Sequence, residues 1–150
     1  MKTIKLLFIV TIMLGLCACS SKYPELEDDA IAFEAGEFFD ENYPDVGYIT
    51  IEYNGRVYMP YGTGNVGKKD IDKCIGYIIE DETISSVVDR NSKDTRVYTL
   101  TEDKENNYLM VYYIEDQVMN QPSFWRAIDT KGQGINTPKY ITKLDDDYWK

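Results

Sequence analysis

The clearest periodic signal in the chain is a pair of β-rich runs on either side of an Asn-Gly dipeptide. Gly47-Tyr-Ile-Thr-Ile-Glu-Tyr53 precedes Asn54-Gly55, and Arg56-Val-Tyr-Met59 follows it. Both central positions of a two-residue type I′ turn need positive φ, which Asn and Gly tolerate best, so the pattern predicts a tight hairpin. With Tyr53 opposite Arg56, one face carries Ile49, Ile51, Tyr53 and Tyr58, and the other carries Tyr48, Thr50, Glu52, Val57 and Met59. The first face is expected to be buried and the second half exposed.

Five more runs have strand length: Cys74–Glu80, Arg96–Thr101, Tyr108–Glu115, Phe124–Asp129 and Tyr140–Leu144. Tyr108-Leu-Met-Val-Tyr-Tyr-Ile114 is apolar on both faces, which predicts a central strand. The polar stretch 101–107 reads as a second hairpin connection, and Lys131-Gly-Gln-Gly134 as a turn. Upstream, Ile31, Ala35 and Phe38 recur at helical spacing with Phe39 beside them. Glu25, Glu27, Asp28 and Asp29 suit a helix N-terminus, and Pro44 would end the run, although Gly36 weakens it. A helix is therefore expected within residues 26–42. The resulting fold class is mainly β: an antiparallel sheet or small barrel or sandwich of about six to seven strands with one N-terminal helix, with α+β as the alternative.

The N-terminus follows a different logic. Met1-Lys-Thr-Ile-Lys5 leads into an apolar run from Leu6 to Leu16. That run falls short of the roughly 20 residues a spanning helix needs, and its lysines and small-residue end fit an export signal better than a buried core helix. Leu16-Cys17-Ala18-Cys19 resembles the lipobox of bacterial lipoprotein precursors. Cys19 fits as the modified residue, because small Ala18 then precedes the cut; choosing Cys17 would put bulky Leu16 there. The resemblance covers only this N-terminal segment. It implies removal of residues 1–18, a diacylglycerol on the Cys19 sulfur, often a palmitate-type acyl group on the new amine, and an extracytoplasmic protein anchored in the cell membrane (the outer membrane in a Gram-negative host). Two or three acyl chains hold stably where one holds marginally. Residues 19–25 then read as a lipid-anchored tether and 26–150 as one globular domain. Arg96-Val-Tyr-Thr-Leu100 and Asn136-Thr-Pro-Lys-Tyr140 also resemble segments of small uncharacterised lipoproteins of Gram-positive bacteria, which implies a location and no activity.

Charge adds a partner class. The chain has 26 acidic and 16 basic residues, a net charge of −10; losing Lys2 and Lys5 with residues 1–18 leaves −12 on the remaining 132 residues. Such a field disfavours nucleic acid and attracts cations and basic partners. The absence of histidine excludes Ser-His-Asp and Cys-His catalysis, His-ligated zinc and a histidine pH switch. With Cys17 in the signal and Cys19 lipidated, Cys74 stands alone in an apolar run and is expected to be an inert core thiol.

Gly62-Thr-Gly-Asn-Val-Gly-Lys68 matches parts of two phosphate-binding patterns. Too few residues follow before the next strand for the required helix, and Lys69 stands where a P-loop has Ser or Thr. It is expected to be a surface loop. The acidic runs Glu27-Asp28-Asp29, Glu80-Asp81-Glu82 and Asp145-Asp146-Asp147 lack calcium-loop spacing and read as solvated surface. No cofactor, metal site or catalytic residue is expected. Thirteen tyrosines among so many acids suggest stacking and cation–π contact, with Tyr48, Tyr58, Tyr61 and Glu52 as candidate ligand-binding residues. The expected function is a membrane-anchored binding module for a cationic peptide or basic protein. A structural or accessory subunit in contact with an envelope protein is the alternative, and a carboxylate-dependent hydrolase is a distant third.

Overall fold

The computed structural model describes residues 23–79, 93–114 and 121–150. Cys19, the signal segment and the Glu80-Asp81-Glu82 run lie outside the described residues. In the expected Asn-Gly turn, Asn54 has φ 52° and Gly55 has φ 72°. The register also matches, with Tyr53 opposite Arg56, Glu52 opposite Val57 and Ile51 opposite Tyr58.

The strands are β1 (Leu26–Glu34), β2 (Gly36–Asp40), β3 (Tyr43–Tyr53), β4 (Arg56–Gly64), β5 (Ile71–Ile79), β6 (Thr95–Leu100), β7 (Tyr108–Tyr113), β8 (Ser123–Ala127) and β9 (Ile141–Lys143). They form a single mixed sheet in the order β1-β5-β6-β7-β8-β4-β3-β2, with β9 added along β4. β7 lies inside the sheet between β6 and β8, and Tyr108 to Tyr112 are all buried. The turn between β6 and β7 places Asn106 at φ 51°, and Gly132 takes φ 75° in the Lys131–Gly134 turn.

Three expectations need correction. Residues 26–40 are extended, not helical: they form β1 and β2, separated only by Ala35. The positions that read as one helical stripe do not share a face: Ala35 and Phe38 pack in different clusters, and Ile31 and Phe39 are exposed. Phe33 and Ala35 pack in the cluster of Ile51, Tyr58, Leu109 and Trp125, while Leu26 and Phe38 pack in the cluster of Met59, Tyr98, Tyr108 and Phe124. That is the odd–even alternation of a strand. Pairing with β5 and β3 supplies ladder bonds that override a weak helical preference.

Secondly, the sheet is not wholly antiparallel and has nine strands, because β1 pairs parallel to β5, with Phe33 opposite Ile78. Thirdly, the glycine-rich segment is not a free surface loop. Gly62 and Gly64 belong to β4 and lie against β9, and Val66 is buried. A Cβ at Gly64 would overlap the Tyr140 carbonyl oxygen, so the glycines serve close backbone approach rather than phosphate. The Gly67 N–H donates to the Asp70 carboxylate at 2.8 Å.

Cys74 is fully buried, its thiol donates weakly to the Gly76 carbonyl, and burial pushes its pKa up, which suits an inert core thiol. The expected faces of the Asn-Gly hairpin hold in part. Ile51 and Tyr58 are buried, but so are Thr50 and Met59 on the opposite face, while Ile49 is exposed.

Candidate functional site

β2 and β3 form a second hairpin. At its turn Asp40 accepts the backbone and side-chain N–H of Asn42 at 2.8 and 2.9 Å, and these bonds hold its carboxyl below the usual carboxylate range. In register, Phe38 faces Tyr48, Phe39 faces Gly47 and Glu37 faces Ile49. Phe38 and Tyr48 turn inward, with their rings 5.4 and 5.8 Å from that of Tyr148. Phe39 and Ile49 occupy the opposite, outer face. Six large hydrophobic residues are exposed among the described residues, and five of them are Ile31, Phe39, Tyr43, Val46 and Ile49. Four of these, Phe39, Tyr43, Val46 and Ile49, lie on the β2–β3 hairpin and Ile31 on β1, a clustering of apolar surface of the kind found at interaction sites.

The same stretch is acidic without exception. From Leu26 to Gly55 there are nine carboxylates and no lysine or arginine. Glu27 pairs loosely with Lys73 at 3.7 Å and Asp40 with Lys131 at 3.6 Å; among the described residues the other seven carboxylates form no ion pair.

Next to the hairpin lies a cleft of about 410 Å³, lined by the continuous stretch Ile31–Gly36 on one side and by Thr50–Glu52 and Val57 on the other. It opens where the ribbon changes partner, from β5 up to Glu34 to β3 from Gly36 onward.

Two cations are already held by aromatic rings elsewhere. Lys131 Nζ lies 3.7 Å from the centre of the Tyr148 ring. Arg126 is buried, with Tyr61, Tyr108 and Trp149 at 5.3, 5.9 and 5.2 Å. It donates to the Thr130 hydroxyl and carbonyl at 2.7 and 2.6 Å, and no carboxylate pairs with it among the described residues. Rings and neutral oxygens therefore stabilise this charge, and the cluster belongs to the core.

The four candidate ligand residues do not converge. Tyr58 is fully buried; its hydroxyl donates to the Asn106 carbonyl at 2.6 Å, and burial pushes its pKa up to about 12. Tyr61 is buried on the opposite sheet face, its ring 5.4 Å from that of Tyr108 and 5.3 Å from that of Trp149. Tyr48 is half-buried beneath the hairpin, and Glu52 is exposed at the cleft. Phe39, Val46, Ile49 and Glu34 were missed. The signal that could have found them was the run of acids without a base, interleaved with large apolar residues.

Among the described residues no group of three or more Cys, Asp or Glu side chains is placed to hold a metal ion. Compared with known proteins, the chain matches no family model, and no curated protein or solved structure is significantly similar to it.

Proposed function

We propose that the protein is a lipid-anchored extracytoplasmic module that captures a cationic, amphipathic peptide or a basic protein segment through the β2–β3 hairpin and its surroundings. The observation that carries this reading is the pairing of exposed apolar side chains with nine acids and no base. An apolar face alone would suit many partners. The acidic excess around it, with Lys73 beside Glu27 and Lys131 beside Asp40 as neighbouring cations, favours basic partners and disfavours acidic ones, including an anionic bilayer.

The anchor would be Cys19. Tyr23, within the expected tether, packs its ring 4.4 Å from Tyr112 and 5.8 Å from Tyr98, so the folded body reaches at least as far as Tyr23. Three residues lie between it and Cys19, and the four Cα–Cα steps reach at most about 14 Å. Capture would take place near the membrane surface, where a basic peptide approaching the bilayer first meets the acidic face. Cys19→Ala protein is expected to move from the membrane fraction to the soluble fraction; unchanged membrane retention would refute the anchor.

Binding should depend strongly on salt, since the Debye length falls from about 30 Å at 0.01 M to about 8 Å at 0.15 M. Titrating the intact protein, in non-ionic detergent, with a fluorescent cationic amphipathic peptide should give saturable binding at low salt that weakens at least about tenfold at physiological salt. No binding at low salt would refute the reading.

A further inference from the structure

We propose that the ring face of Tyr148 and the Asp40 carboxylate form a binding site for an ammonium or guanidinium group, filled in the free protein by its own Lys131. The proposal rests on the reading above and names where a basic side chain of that ligand is held. Lys131 Nζ lies 3.7 Å from the centre of the Tyr148 ring and 3.6 Å from Asp40 Oδ2. An atom comes that near a ring centre only over a face, where the π electrons attract positive charge.

The two receptor groups are firmly placed. Tyr148 is buried, its ring set edge-to-face against Phe38 at 5.4 Å and Trp149 at 4.8 Å, with Tyr48 at 5.8 Å. Asp40 is buried too, and both bonds from Asn42 end on its Oδ1. Oδ2 keeps its lone pairs for a cation, and Lys131 stands beyond hydrogen-bond length from it. Asp146 adds a further carboxylate beside the ring: it accepts the Tyr148 backbone N–H at 2.8 Å and has no ion pair among the described residues.

The occupant is held less firmly than the site. The Lys131 side chain is 41 % exposed, against 11 % for that of Asp40. Its backbone is fixed separately, with the Lys131 N–H on the Ile128 carbonyl at 3.1 Å and the Gln133 N–H on the Thr130 carbonyl at 3.0 Å. The side chain can therefore swing into solvent without disturbing the turn, as exposed side chains do on the picosecond to nanosecond scale. It leaves behind a ring face and a carboxylate, which together accept a cation and reject an anion. Asp40 stands opposite Tyr43 in the β2–β3 ladder and follows Phe39 in the chain. A ligand lying on those exposed rings brings a lysine or arginine within reach of the site. Lys131 competes with it, and the apparent affinity falls in proportion to the fraction of molecules in which the site is open.

The test titrates the intact protein, in non-ionic detergent at low salt, with a fluorescent ten-residue Leu-Lys peptide. Lys131→Ala should bind it about five- to tenfold more tightly than the parent protein. Lys139→Ala makes the same change of charge at an exposed lysine and should gain less than about twofold. Adding Asp40→Asn to Lys131→Ala should erase the gain. Asn keeps the Oδ1 acceptor for Asn42, and the thermal midpoint of the double variant reports that the protein is folded. In the parent protein, the Lys131 methylene protons beside Nζ should resonate upfield, over the Tyr148 ring, and return to ordinary lysine positions when the peptide binds. Equal gains in Lys131→Ala and Lys139→Ala would reduce the effect to net charge and overturn the proposal while leaving the receptor reading intact. Lys131 resonances that stay in place in the saturated complex would do the same. No binding by the parent protein or any variant would overturn both.

Discussion

Trp149→Ala is expected to lower the free energy of unfolding by about 3–5 kcal/mol, the range for removing a large buried aromatic side chain. Trp149 is buried and does several jobs at once. Its ring lies 5.3 Å from Tyr61 and 4.8 Å from Tyr148, both edge-to-face, and its indole N–H donates to the Pro60 carbonyl at 2.7 Å. It also forms one wall around Arg126. Truncation would open a cavity, leave the β4 carbonyl without its donor and admit water to a guanidinium held by rings instead of a carboxylate. Trp149→Phe keeps a ring over Arg126 but loses the hydrogen bond, so it should cost about 1–3 kcal/mol. Urea unfolding followed through Trp125 fluorescence would measure both. An unfolding free energy for the Ala variant within about 0.5 kcal/mol of the parent, the size of an ordinary surface change, would show that the C-terminal segment does not pack as described.

Arg56→Ala should cost about 2–4 kcal/mol, because one side chain ties three parts of the fold together. Arg56 follows the Asn54-Gly55 turn. Its guanidinium makes a two-pronged bond to Asp129 at 3.0 and 2.8 Å, donates to the carbonyls of Glu105 and Asn106 at 2.9 and 3.1 Å, and reaches the Asn107 side-chain oxygen at 3.2 Å. Asp129 is exposed, so most of the expected loss lies in the carbonyl bonds and not in the ion pair. Arg56→Lys should recover less than half of it, since an ammonium cannot match the planar fork.

The pair also sets an acid dependence. Hydrogen bonding to Arg56 holds the Asp129 carboxyl below its ordinary value of 3.8. A carboxyl depressed in the folded state stabilises the protein above the unfolded value, and that contribution fades as pH falls through the folded one. Thermal midpoints should therefore fall below about pH 4, with a shallower slope in Asp129→Asn. With no histidine in the chain, the midpoint should change little between about pH 6 and 8. A steep change in that window would point to a carboxylate with a strongly raised pKa.

Local features were legible because their causes are local. Asn54-Gly55 favours positive φ wherever it occurs, and that turn alone sets Tyr53 opposite Arg56. The apolar run from Tyr108 needs cover on both faces, and β7 between β6 and β8 receives it. Cys74 was readable as a core thiol from its apolar neighbours. The candidate ligand residues were less legible. Tyr58 and Tyr61 have the composition of a binding surface, but a tyrosine ring serves equally well in a core once its hydroxyl finds an acceptor, as that of Tyr58 does at Asn106. Which faces of the Asn-Gly hairpin are covered depends on the strands packed over them, and no alternation pattern reports that.

The amino-acid sequence by itself determined the β class, the two hairpin connections around residues 54–55 and 101–107, the central strand, the excess of negative charge and the absence of histidine chemistry. These follow from backbone preference, period-two patterning and composition. Tertiary structure alone decided the state of residues 26–40. Helical spacing and strand alternation both fit that segment, and the choice fell to ladder bonds with β5, more than forty residues away, and with β3. The pairing with β5 also set β1 parallel to it, and the separate pairing of β4 with β9 gave Gly62 and Gly64 their role.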